Sequence, residues 1–294
     1  MAFTVDELKQ DDRFLSAILQ GAHDLIAIYV ENPRIASILA SQQRWLLAHS
    51  AFALHLGYPG DLMPGLYSSR LTEFADRYNI ASHNTAVAFL KEMMAYKFVQ
   101  PVLHGQDRRI TLLEPTEITY EYMGKWLYTH LHVLDTLDGG SRIAEAALDV
   151  AAIWKMQPHI AKRIVESKNL RNLGPTFNLF NFATSGGLVM DFLISCINLT
   201  GSLSDRIVIG PVSMQALQSQ FMISRTHLKR LFRSAAELGS LGWVGVPGKS
   251  SFWISRNFVL EYRNYQAEKY AIVDIVRNEI FSSMESGMTI CAES

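Results

Sequence analysis

Five cations, Arg206, Arg225, Lys229, Arg230 and Arg233, lie between Asp205 and Glu237 with no acidic residue among them. Such a run suits phosphate, because each cation neutralises one backbone charge and releases condensed counterions. Placed at 100° per residue, Leu228, Leu231, Phe232 and Ala235 fall on one arc of a helix. Arg225, Thr226, Lys229, Arg230 and Arg233 fall on the other. A dry arc that packs and a donor-rich arc that faces outward is what a helix needs to enter a major groove. Ser224 supplies the N-cap. Lys249, in the turn Pro247–Ser250, together with Ser251 and Arg256, supplies donors where a hairpin tip would touch backbone or minor groove.

A weaker counterpart lies in the first half. Ser82 caps a helix whose first turn carries His83, Asn84 and Thr85 and whose outer face carries Lys91. Ala86, Phe89, Leu90 and Met93 form its apolar arc. Asn pairs bidentately with adenine and Ser or Thr donates to phosphate, so this helix has readout chemistry with fewer cations. From Arg70 to Glu114 the charges nearly balance.

The elements that must position these helices follow from periodicity. Leu71, Phe74, Ala75 and Tyr78 mark a helix before the Ser82 cap, and Met214, Leu217, Gln218 and Phe221 mark one before Ser224. Strand-like runs are confined to Phe98–Leu103 with Arg109–Leu113, and to Trp243–Val246 with Phe252–Ser255, each pair joined by a Gly-containing turn. Helix, short turn, helix and hairpin is the winged helix-turn-helix plan, and it occurs twice at an offset of about 140 positions. Longer helices flank each copy: Ile35–Leu56 and Tyr120–Leu134 around the first, about 178–199 and Phe258–Met284 around the second. The fold class expected is therefore mainly α with small β-hairpin wings, as two tandem units. Residues 1–140 would hold the first (helix-turn-helix about 71–96, wing about 98–113) and 141–294 the second (about 213–238, wing about 243–255).

The stretch LTEFADRYNIASHNTAVAFLKEMMAYKFVQPVLHGQDRRITLLEPTE resembles the DNA-binding lobe of MarR-type regulators (multiple antibiotic resistance regulators). Asp107-Arg108-Arg109, followed by Leu113 and Thr116, is similar to that family's wing pattern, although Pro115 stands where the family usually has Leu. The resemblance implies that Asp107 orients Arg109 toward the minor groove, with Arg108 beside it. It also implies a homodimer-like architecture, here as a single-chain pseudo-dimer, alone or further associated. Repression as the more frequent mode and control by a small-molecule effector are likewise implied by the family. The second unit shares the plan but lacks the Asp-x-Arg wing.

Composition sets the outer bounds. With 294 residues, 49% hydrophobic and a net charge of −1, the chain has material for a core and for about two domains, and is no uniformly basic DNA coater. Cys196 and Cys291 form no metal-ligand cluster, which leaves disulfide and zinc frameworks unsupported and suits a cytoplasmic setting. The acidic start MAFTVDELKQDDRF is unlike an export signal, and the apolar run Leu188–Leu199 is too short to span a bilayer and reads as a buried helix. No catalytic pattern emerges, so an enzyme and a cofactor are not expected. His130 and His132, two apart on a helix, face different sides, and Ser185-Gly186-Gly187 lacks a P-loop lysine. Trp45, Tyr122, Trp126, Tyr128 and Phe192 read as core before they read as a pocket.

These readings converge on a cytoplasmic, sequence-specific regulator of transcription that binds double-stranded DNA through two unequal heads. Its half-sites would lie about 34–36 Å apart. Two other readings stay open: a winged-helix scaffold that binds a protein or ligand without DNA readout, and a tandem winged-helix replication initiator.

Overall fold

The caps and apolar periods of the sequence become helices with few surprises in a computed structural model of the chain, which describes residues 2–33, 37–39, 41–62, 64–102, 111–171, 173–199 and 204–292. The architecture is mainly helical, with two small antiparallel sheets. The α-helices, in chain order, are α1 (Val5–Gln10), α2 (Asp12–Glu31), α3 (Gln42–Leu56), α4 (Ser68–Arg77), α5 (His83–Ala95), α6 (Glu117–Asp138), α7 (Arg142–Leu148) and α8 (Val150–Glu166). They continue with α9 (Pro175–Asn181), α10 (Gly186–Ser195), α11 (Met214–Phe221), α12 (Arg225–Glu237) and α13 (Arg256–Ala292). The strands are β1 (Val99–Pro101), β2 (Leu113–Pro115), β3 (Arg206–Gly210), β4 (Leu241–Trp243) and β5 (Phe252–Ser255). Among the described residues no helix is long and apolar enough to cross a membrane.

The chain divides into two compact units that interleave along the sequence. The first comprises Met1–Leu8, Trp45–Ser167 and Lys269–Ser294, and the second Lys9–Arg44 and Lys168–Glu268. The first contains the helix pair α4 and α5, and the second the pair α11 and α12. The units depart from a simple cut after residue 140, because Lys9–Arg44 joins the second and residues 141–167 and 269–294 join the first. Periodicity shows where a helix is amphipathic but not which core its apolar face will join, which is why the exchange was invisible in one dimension.

In the first unit Phe52 packs edge-on against Tyr120 and Trp154, at 5.2 and 5.6 Å between centroids. In the second, Tyr29 of α2 meets Phe221 of α11 at 5.8 Å, and Phe180 meets Phe258 at 5.3 Å. Several local expectations need correction. The strand expected at Trp243–Val246 is Leu241–Trp243, and the one expected to end at Leu113 is Leu113–Pro115. Strands are not confined to two hairpins: β3 pairs with β5, and Leu66 forms a bridge to Leu113. The segment expected as helix over about 178–199, with Ser185-Gly186-Gly187 read as an interruption, is two helices, α9 and α10; Ser185 is left-handed (φ 56°) between them, and α10 ends at Ser195. Helix α3 begins at Gln42; of the expected start, Ser37–Leu39 is a short 3-10 turn, and residues 34–36 and 40 lie outside the described residues.

The first unit buries two polar clusters. Arg142 of α7, 6% exposed, forks onto Asp138 (2.7 and 2.8 Å) and donates to Asp135 and Asp274. Asp274, fully buried, also accepts the backbone N–H of Phe3 at 2.8 Å. Burial alone would lower the Arg142 pKa, yet the three carboxylates outweigh it and the guanidinium is held charged.

The second cluster joins His49 and Gln157, 2.8 Å apart, to His130, whose Nδ1 lies 2.7 Å from the Trp126 carbonyl. Burial, reinforced by repulsion from Lys269, pushes His49 down to about 3 and His130 well below its usual range. Both rings are therefore neutral in the folded protein at pH 7, as they are in the unfolded chain. Below about pH 6.5 the unfolded histidines take up protons that the folded ones refuse, so stability is full above that pH and falls as pH drops toward 3. His49 is expected to cost about 2 kcal/mol at pH 5, and His130 acts in the same direction. Urea denaturation at pH 7 and pH 5 checks this; equal stabilities at the two values would refute it, and His49→Gln should flatten the dependence.

Candidate nucleic-acid interface

Helix α12 is built as its sequence requires. The Ser224 hydroxyl accepts the His227 N–H at 3.2 Å, closing the N-terminus. Leu228, Leu231, Phe232 and Ala235 are buried. Ser224, Arg225, Thr226, Lys229, Arg230 and Arg233 are all exposed, so the expected division into a packing and a presenting face is realised residue by residue. Among the described residues none of Arg225, Lys229 and Arg233 forms an ion pair with a carboxylate. At four-residue spacing they make one cationic stripe along the helix. Arg230 points its guanidinium at His227 Nδ1, 3.0 Å away; burial and this cation hold the His227 pKa down.

Three elements hold α12 in place. Helix α11, capped by Ser213, ends at Met222 in a left-handed turn (φ 51°), which swings the chain into the Ser224 cap. At the other end Gly239 is left-handed (φ 68°), and the Ser240 N–H closes back on the Ala235 carbonyl at 2.9 Å. The chain then enters a three-stranded sheet in the order β3-β5-β4. In that sheet Ile207 and Ile209 point inward, whereas Arg206 points outward and stacks on the Trp253 ring at 4.4 Å. Gly242 is where Trp253 fits: a Cβ there would lie 2.9 Å from the indole.

The first unit has several of the same local features. Asn79 (φ 49°) is left-handed three residues before the Ser82 cap, where Met222 is two before Ser224, Lys97 (φ 60°) stands where Gly239 does, and Ser82 caps α5 through the Thr85 N–H at 3.3 Å. The Phe98 N–H closes on Met93 as Ser240 does on Ala235, and Thr116 donates to the Phe98 carbonyl as Ser255 does to Ser240. Leu66, β2 and β1 lie side by side in the order that β3, β5 and β4 adopt. Left-handed Asn79 and Met222, both non-glycine, each lie in the turn that leads into a serine-capped helix.

Aligning the two caps shows how the heads differ. Positions of Arg225, Lys229 and Arg233 correspond to His83, Val87 and Lys91, so one stripe has three cations and the other one. Ser82, His83, Asn84 and Lys91 are exposed and Thr85 half-buried. Arg70 is not part of this surface, since it is tied to Asp61 (2.5 Å) and the Gly65 carbonyl (2.7 Å). Asp107, Arg108 and Arg109 lie outside the described residues. Lys249 and Arg256 are exposed as expected of hairpin donors. Exposed Val244, Val246 and Pro247 beside Lys249 went unremarked in the sequence, where valines at a strand end read as core. His130 is buried and His132 exposed, on opposite sides of α6.

No family model, curated protein or solved structure matches this chain.

Proposed function

We propose that this protein is a sequence-specific DNA-binding transcriptional regulator, with two winged helix-turn-helix heads on one polypeptide that read an imperfect palindrome. The observation that carries the reading is the stripe Arg225–Lys229–Arg233, without carboxylate partners among the described residues and exposed on a helix that strand, helix, turn and hairpin hold in place. Cations left without carboxylate partners on a rigid helix suit an anionic ligand that repeats along a line, as duplex phosphates and guanine edges do. The second head is the principal reader and the first an auxiliary one, because His83 and Val87 replace two of its cations.

Selection of bound duplexes by the full chain from a random-sequence pool tests this. The expected outcome is one strongly specified half-site paired with a second, weaker and different one. A perfectly symmetric site would contradict unequal heads, and directly repeated sites would favour a replication initiator. The near-neutral first head supports a scaffold that has lost readout as the second reading; absence of any enrichment would favour it.

A further inference from the structure

The tip of the β4–β5 hairpin is rigid, apolar and cationic together. The Val244 N–H donates to the Ser251 carbonyl at 2.9 Å and the Lys249 N–H to the Val246 carbonyl at 3.0 Å. Ser250 Oγ accepts the Gly245 N–H and donates to the Val246 carbonyl, both at 3.0 Å. Gly248, at φ 75°, supplies the left-handed residue the turn requires. At its base Trp243 packs edge-on against Phe252 at 4.8 Å. Four hydrogen bonds thus pin the backbone of the loop. Val244 is 61% and Val246 63% exposed, and Pro247 and Lys249 are exposed beside them.

A hairpin that only touched phosphates would gain from donors at its tip, yet this one presents two valines and a proline to one lysine. Between Glu237 and Glu261 the sequence has Lys249 and Arg256 and no acidic residue, so the hairpin that carries the apolar tip has only positive charge of its own. Charge of that sign selects a polyanion as the occupant over another apolar protein face. Rigid apolar side chains flanked by a cation are suited to parting a base step from the minor groove. The cost of unstacking is returned by the extra surface a bent duplex brings to the protein.

We infer that the second wing is a minor-groove wedge: Val246 and Pro247 enter between two base pairs, Lys249 holds an adjacent phosphate, and the duplex kinks away from the tip. The inference rests on the DNA-binding reading and adds deformation of the target to it. Flexible steps such as TA or CA would be favoured at that place, since they are the easiest to unstack.

The test uses the full chain with a duplex selected from a random pool, labelled at both ends for energy transfer and carrying 2-aminopurine at successive steps. Wild type is expected to bend the duplex by about 20–90° and to raise 2-aminopurine fluorescence at one step. Val246→Ser combined with Pro247→Ser alters only exposed side chains. It should keep affinity within about tenfold while abolishing both signals. Lys249→Ala should weaken binding several-fold and keep the bend. A straight duplex under wild type, or an intact bend under the double variant, overturns the wedge and leaves the DNA-binding reading standing. No retention of any duplex overturns both.

Discussion

Replacing Arg225, Lys229 and Arg233 together by alanine is expected to lower affinity for the selected duplex by at least about 100-fold at physiological salt, because each lost contact to phosphate or guanine is worth roughly 1–3 kcal/mol. The same variant should keep its thermal midpoint within about 2 °C. The three side chains are exposed and lack carboxylate partners among the described residues, and alanine is the strongest helix former. The salt dependence separates this from misfolding. Each phosphate contact contributes about −0.9 to the slope of log K against log salt, so the slope should become shallower by up to about 3. The matched variant His83→Ala with Val87→Ala and Lys91→Ala removes a single permanent cation, and its expected loss is about tenfold or less. Anisotropy titrations between 50 and 200 mM salt measure both. Equal losses for the two triple variants would contradict the unequal roles given to the heads.

The largest stability effect is expected elsewhere, at Arg142. Truncation to alanine leaves Asp274, fully buried, without the guanidinium that neutralises it, and removes the fork on Asp138. Breaking a buried ion pair in this way costs about 3–5 kcal/mol. For a unit of this size the thermal midpoint of the first unit should fall by roughly 10 °C. Combining Arg142→Met with Asp274→Leu should recover most of the loss, since an apolar replacement of similar volume removes the stranded charge as well. Calorimetry of the two variants decides it. An Arg142→Ala midpoint equal to wild type would show that the cluster is solvated and carries little of the fold.

Much of the candidate site was legible in the sequence, and the reason is local. The Ser82 and Ser224 caps, the two arcs of α12 and the Lys249 turn depend on residues within a few positions of one another. Helical period and side-chain chemistry determine them before any tertiary contact forms. The β5 strand and the turn at Met222 were legible for the same reason. What escaped depends on distant partners. β3 has the alternation of a half-buried strand, Arg206-Ile207-Val208-Ile209, but only pairing with β5 makes it one, and Leu66 belongs to a sheet only through Leu113. The interleaving of the units escaped too, because an amphipathic helix such as α2 carries no mark of the core it will join. Left-handed Lys97 was hidden as well: its equivalent is Gly239, which advertises the conformation, whereas lysine does not.

The most direct measurement is the binding of the full chain to a selected duplex as a function of salt. Five cations on α12, the wing and the start of α13, Arg225, Lys229, Arg233, Lys249 and Arg256, are exposed and available to phosphate. The slope of log K against log salt is therefore predicted to be about −4 or steeper. A chain that is not retained on DNA at 50 mM salt, or whose binding is flat from 50 to 200 mM, would contradict the proposal that this surface reads nucleic acid.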